Sequence, residues 1–337
     1  MLTYIFRRLL LMIPTLIGMT FMLFAIVRFA PGLKTAGAGG FANGMMQARQ
    51  AQKQEELLTA QRLHLVNKNG RPISLPMQYV LWLKSTCEGH LGTSLEYNEP
   101  VLTLIEQRLP VTLTINLIAM MVIYLVAVPG GFLAAVYRDR LFDRAFGFAS
   151  IALYSLPSIW VGSMLLGFFA NPEFFNWFPS AGLHATNTQS MSFLQYIGDY
   201  CYHITLPIVC SVYGGFAFLS KQVRGSILEN LHQDYVRTAR AKGLSGSTVM
   251  VRHVFRNSLL TLITLTGMAL PGLLGGSVII EQIFSIDGMG RLAYTATLGR
   301  DIPVIQSLAL VGSILTLLSY LAVDICYAMA DPRVSYA

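Results

Sequence analysis

Six uncharged stretches alternate with charged segments along this chain: 9–27, 109–137, 145–172, 200–220, 257–280 and 302–323. Each is close to or longer than the ~20 residues that carry a helix across ~30 Å of hydrocarbon. The pattern predicts six transmembrane helices. Pro31-Gly32 closes the first run, and Pro14 is expected in its first turns, where a missing amide donor costs little. The fourth run carries His203 and Pro207 near its start. A long polar region separates the first two runs. Within it, 37–44 is glycine-rich, 45–66 reads as a water-exposed helix, and 78–83 reads as a short amphipathic helix with Tyr79 and Trp82 at interfacial height.

Composition agrees with a bilayer as solvent. The 337 residues are 54% hydrophobic and 12% charged, about half the charge of a soluble domain; mean hydropathy is +0.54. The fold class expected is an all-α integral membrane protein. Orientation follows from Lys and Arg. Thirteen lie before the first run, between the second and third, between the fourth and fifth, and after the sixth; the opposite short loops hold two, Arg291 and Arg300. Both termini are therefore expected in the cytoplasm. Much of the net charge of +7 is then topological, and nucleic acid is not an expected partner. Arg7-Arg8 followed by an apolar run without a small-residue cleavage site reads as an anchor rather than a cleaved signal.

The chemistry that is missing narrows the function. There is no Gly-x-x-x-x-Gly-Lys-[Ser/Thr] phosphate loop, no His-Glu-x-x-His and no Gly-x-Ser-x-Gly, so neither ATP hydrolysis nor the common hydrolase chemistries are expected. An energy source must be a separate chain. Cys87, Cys201, Cys210 and Cys326 show no metal spacing; Cys87 and Cys201 share the outer side, which leaves a disulfide between them open. Four ionisable groups fall near membrane depth. Arg28 and Glu281 are close enough to span ends to snorkel, Asp324 lies a turn or two from the cytoplasmic surface, and His203 reads as a satisfied interfacial histidine rather than a ligand.

Breaks in the apolar runs mark where a pathway would lie. Tyr154-Ser155-Leu-Pro157 interrupts the third, Tyr213-Gly214-Gly215 opens the fourth, and Gly267, Pro271, Gly272, Gly275 and Gly276 crowd the fifth. Small residues chiefly let helices approach closely. Proline inside a span frees backbone carbonyls that need a partner. The candidate pathway residues are Tyr154, Ser155, Pro157, Tyr213, Gly214, Pro271 and Gly272.

The segment Asp234-Tyr-Val-Arg-Thr-Ala-Arg-Ala-Lys-Gly243 is polar and helix-forming, ends on a helix-stopping glycine, and precedes a basic cluster, Arg252-His253-Val-Phe-Arg256-Asn257. A short exposed helix of this kind suits docking to a partner's groove, although basic cytoplasmic loops also arise from topology alone. The segment resembles the EAA loop of ATP-binding-cassette (ABC) importer permeases, in the form used by oligopeptide, dipeptide and nickel permeases. The family's acidic first position falls on Arg237 and its second on Thr238, while Ala239 and Gly243 match. Further blocks resemble the same family in order: Gly89-His-Leu-Gly-Thr-Ser94, Arg108-Leu-Pro-Val-Thr-Leu113, Phe284-Ser-Ile-Asp-Gly-Met-Gly-Arg291, Arg300-Asp-Ile-Pro-Val304 and Asp331-Pro-Arg333. His203-Ile-Thr-Leu-Pro207 with Gly214-Gly215 is closest to the oligopeptide and microcin C branch. Thr261 and Asp287 stand where the family often has proline, so a kink in the fifth span is expected nearer Pro271, and the outer turn is expected to be less rigid.

The resemblance implies a type I ABC importer permease fold in the bacterial inner membrane. It implies an anchor helix in 1–30, a periplasmic region in 31–107, a permease core in 108–330 with a coupling loop in 221–256, and a cytoplasmic tail in 331–337. Tyr235, Arg237, Thr238, Ala239, Arg240, Ala241, Lys242, Gly243, His253, Arg256 and Asn257 would form the ATPase-coupling surface. The implied partners are a second homologous permease, two ABC ATPase subunits that bind ATP and Mg²⁺, a periplasmic solute-binding protein and a peptide substrate; no cofactor is expected in this chain. The rival reading is a self-sufficient secondary transporter or channel, which would require intramembrane charge relays and internal repeats.

Overall fold

The computed structural model describes residues 2–29 and 57–330, apart from 59, 62, 64 and 68. Its helices are α1 (Leu2–Phe29), α2 (Leu75–Cys87), α3 (Val101–Val136), α4 (Leu141–Tyr154), α5 (Ser158–Leu165), α6 (Phe193–Leu231), α7 (Asp234–Ala241), α8 (Arg256–Gly275), α9 (Val278–Ile283), α10 (Met289–Gly299) and α11 (Ile302–Ala330). π-helical turns follow α5 at Leu166–Ala170 and precede α8 at Val249–Phe255. Among the described residues strand pairing is confined to two isolated bridges, Val66 with Pro72 and Thr93 with Pro100. The glycine-rich 37–44, most of the helix expected over 45–66, and Asp331-Pro-Arg333 lie outside the described residues. The described end of that helix stops short of Val66, which is in a bridge instead.

Among the described residues four helices, against the six expected, are long and apolar enough to cross a membrane, or five if a bent pair is one span: Phe6–Phe29, Val101–Val136, Phe193–Leu231 and Ile302–Cys326. At 1.5 Å per residue, α3 and α6 exceed the ~30 Å of hydrocarbon, so their ends stand in water. The third uncharged run is not one straight helix. Leu141–Tyr154 and Ser158–Ala170 meet at 92°. Pro157 explains the bend, because its ring clashes with the carbonyl four residues back and biases Leu156 away from helical geometry. The fourth run, by contrast, extends well beyond its apolar limits. α6 continues eleven residues past Ser220 without interruption at Gly214-Gly215. Pro14 also differs from expectation: α1 starts at Leu2, so this proline sits in the helix interior.

The chain divides into two compact units, Arg108–Leu292 with Leu315–Ala337, and Leu2–Gln107 with Ala293–Ile314. In the second unit, Tyr79 does not lie at an exposed interface. It is 9% exposed, its hydroxyl donates to the Ile17 carbonyl at 3.1 Å, and its ring meets Phe21, Phe24 and Trp82. Arg28 reaches the Leu63 carbonyl at 2.7 Å and lies over the Phe24 ring, so it is held by protein rather than by snorkelling alone. Asp301, fully buried, caps the start of α11 and gathers the Ser94 hydroxyl and the Leu95 and Glu96 amides. Gly89–Ser94 and Arg300–Val304 are thus two halves of one knot.

Candidate functional site

Within the first unit, the polar segment 221–256 is mostly helical rather than a loop. α6 runs to Leu231, α7 follows after two residues, and the π-turn Val249–Phe255 leads straight into α8. α7 is amphipathic at helical spacing. Val236 and Ala239 are buried in a cluster with Ala127, Leu219, Val223, Ile227, Val249 and Val254. Tyr235 is half-buried, and its hydroxyl donates to Asn230 Oδ1 at 2.7 Å; Asn230 in turn donates to the Ser226 carbonyl and to Ser258 Oγ.

The opposite side of α7 is open. Arg237, Thr238, Arg240, Ala241, Lys242, Gly243 and Leu244 are exposed, as are Arg256 and Asn257 at the start of α8, while His253 is half-buried. The expected coupling residues thus fall into two sets. Ala239 faces inward and carries packing rather than contact. Arg237 pairs only loosely with Asp234, at 3.6 Å, and both side chains are well exposed, so the pair adds little. Gly243 has φ of +77° with its amide bonded to the Arg240 carbonyl at 2.9 Å, the left-handed helix stop its position demands.

The candidate pathway residues separate in the same way. A cavity of about 370 Å³ lies between α3, α6, α8 and the turn before α9, and of the seven candidates Gly272 lines it. Gly215 rather than Gly214 faces it. Tyr213 instead braces the bend, donating to the Leu156 carbonyl at 2.8 Å. Tyr154 is exposed and stacks on Phe218. Ser155 turns its hydroxyl back to the Ile151 carbonyl, as a residue at a helix end does. Gly267 serves packing: a Cβ there would lie 1.6 Å from Val323 Cγ2.

Glu281 is the residue that sequence reasoning misplaced most. Instead of snorkelling it is 5% exposed, with its carboxylate accepting from Thr112 Oγ1 at 3.1 Å and the Arg291 amide at 2.8 Å. It is wedged where no side chain fits: Cβ atoms at Gly276 and Gly288 would fall 2.3 and 2.6 Å from its carboxyl group. Burial pushes its pKa above the usual carboxylate range, against the pull of those hydrogen bonds. The spacing of Gly276 and Gly288-Met-Gly290 was the signal available for it. Asp287, expected to leave this turn loose, accepts from Arg108 Nε at 3.1 Å and so ties the turn to α3.

The histidine and cysteine candidates serve structure. His203 is buried and bonded to the Asp199 carbonyl at 2.8 Å, with His184 and the Ala185 amide on the Asp199 carboxylate. All four cysteines are free. Asp324 is half-buried within α11. Among the described residues no three His, Cys, Asp or Glu side chains converge as they would around a metal ion.

Comparison with known proteins places this arrangement. The chain is 34% identical to the oligopeptide transport system permease protein AppB of Bacillus subtilis (strain 168), over all of both chains. It is also 34% identical to the inner membrane ABC transporter permease protein YejB of Escherichia coli O157:H7, covering 99% of this chain and 98% of that one. The peptidoglycan transport system permease protein YejB of Agrobacterium fabrum is 32% identical at the same coverage. In fold it resembles a chain of the MetNI methionine ABC transporter in inward-facing conformations, with a TM-score of 0.52 and 18% identity, covering 68% of this chain and 97% of that one. A family model matches residues 127–336, and the chain belongs to the binding-protein-dependent transport system inner membrane components.

Proposed function

We propose that this inner-membrane chain is the permease subunit of an ABC importer for peptides or peptide-like solutes. It would cross the membrane six times, with α8 as the fifth span, the bent α4–α5 pair as the third and both ends in the cytoplasm. A solute-binding protein would deliver substrate from outside. A second permease would complete the pore, and two ATPases would drive alternating access. The names of the relatives support the substrate class, and one of them, a peptidoglycan transport permease, extends it toward peptides carried on sugar.

The observation that carries the coupling part is α7: one face built into the core through Val236 and Ala239, the other bare and basic, and a glycine stop after it. Such a helix transmits a push because its inner face cannot slide independently of α6 and the π-turn. The rival reading, a self-sufficient transporter, would need buried charge relays along the spans, and the comparisons do not favour it. The deciding experiment reconstitutes this chain in liposomes with its companion permease, ATPases and binding protein. Peptide uptake that requires ATP and all partners is expected; uptake by this chain alone, driven by an ion gradient, would overturn the reading.

A further inference from the structure

The cavity between α3, α6 and α8 has a volume of about 370 Å³, within the size range of ligand pockets. Its walls include Met120, Ile123, Phe218 and Leu273, and no charged residue lines it. Four polar side chains do, Asn116, Tyr124, Ser211 and Ser277, and the first three have committed their donors. Asn116 Nδ2 donates to the Leu273 carbonyl at 2.8 Å, satisfying an open end of α8. Ser211 Oγ donates to the Pro207 carbonyl at 2.8 Å. Thr266 spends its single proton on the Leu262 carbonyl, so in the Tyr124–Thr266 contact the tyrosine must be the donor. Acceptor capacity is what these three retain, at Asn116 Oδ1, Ser211 Oγ and Tyr124 Oη, while Ser277 Oγ accepts from the Ile280 amide and keeps its proton for a carbonyl.

A lipid chain brings no donors and would leave these oxygens dry. A charged terminus would find no counter-charge in an apolar site. A neutral peptide unit brings what is missing, an apolar side chain for the walls and a backbone N–H for the acceptors. We infer that this cavity is a subsite for one apolar residue of the translocated peptide, recognised by its side chain and its N–H. The inference rests on the importer reading above and adds to it a place where the permease itself sorts substrate.

Gly272 offers the test. A Cβ there meets nothing within 4 Å and the backbone is helical, so Gly272→Leu fills the cavity without strain. Ala269, one turn earlier on the same wall, gives a second variant, Ala269→Leu. The reconstituted complex is supplied with Leu-rich and Gly-rich tripeptides and the uptake ratio is measured. One occupied side-chain volume is worth about tenfold in selectivity, so both variants are expected to lower the Leu-to-Gly ratio about that much. Wild-type complex is expected to take up N-methyl-leucine peptides less well than their unmethylated forms. An unchanged ratio in either assembled variant, or equal loss for both peptides, overturns the inference, as does indifference to N-methylation. Failure of the importer reading is separately visible, because wild-type complex would then show no ATP-dependent uptake of either peptide.

Discussion

Arg224 grips Asp143 at two points: Nε donates to Oδ1 at 2.6 Å and Nη2 to Oδ2 at 2.7 Å, joining α6 to α4. The Asp143 side chain is 6% exposed and that of Arg224 32%. Removing one partner of a wholly buried pair costs about 3–5 kcal/mol, whereas replacing both with apolar groups is often neutral. Because a third of the arginine reaches solvent, Arg224→Leu is expected to cost about 2–3 kcal/mol. The double variant Arg224→Leu/Asp143→Leu should recover much of that loss. Thermal unfolding of the detergent-purified complex checks it; a double variant less stable than the single would show that the pair adds net stability of its own.

Gly243 bears on coupling. Its φ of +77° strains a β-branched side chain by about 1 kcal/mol or more, although there is space for the Cβ itself. Gly243→Val should therefore disturb the end of α7 while leaving the spans inserted, and Gly243→Asn should be tolerated, since asparagine visits this conformation readily. The readouts are ATPase recovered with tagged permease and peptide uptake. Normal values for both in the valine variant would remove α7 from the coupling role.

What could be read from the sequence, and what could not, has a physical pattern. The four long apolar helices and the amphipathic α7 with its glycine stop were legible because each rests on local spacing: uncharged length, a 3.6-residue period, a residue free to turn left-handed. The right-angle bend at Pro157 was visible as an interruption but not as an angle, since the angle depends on what α6 presents, namely the Tyr213 hydroxyl on the Leu156 carbonyl. Glu281, Asp301 and Arg224 were misjudged or passed over for one shared reason. Their partners lie far along the chain, and a charge near a span end looks the same whether it snorkels or anchors a fold. Arg224 counted as one more loop charge; only the course of α6 past Ser220 brings it to Asp143.

Topology makes a sharp prediction. Asn187 lies in the segment between the π-turn Leu166–Ala170 and α6, and Gly246 just after α7. With thirteen basic residues on one side against two in the short loops opposite, a single cysteine at 187 should react with a membrane-impermeant thiol reagent in intact cells. One at 246 should react only after permeabilisation. The native cysteines must first be replaced, because Cys87, Cys201 and Cys326 are themselves exposed. Strong labelling at 246 in sealed cells is incompatible with six spans and cytoplasmic ends.

Glu281 makes the turn after α8 sensitive to pH, and the sign follows from its environment. Burial raises its pKa in the folded protein, so between the unfolded and folded values the native state holds a proton that the unfolded chain has released. Its contribution to stability is most favourable below the ordinary carboxylate range and falls as pH rises through the folded pKa. Gln cannot ionise, keeps one acceptor oxygen for the Arg291 amide, and can donate from its amide nitrogen to Thr112 Oγ1. The stability of wild type relative to Glu281→Gln should therefore decline as the pH is raised from about 4.5 toward neutrality, measured as the difference in melting temperature between the two complexes at matched pH. Glu281→Ala should be worse than either, since it leaves those donors unpaired inside a turn closed by Gly276 and Gly288. A difference between wild type and Glu281→Gln that grows in favour of wild type with rising pH would mean that the hydrogen bonds outweigh burial and that the carboxylate is held charged.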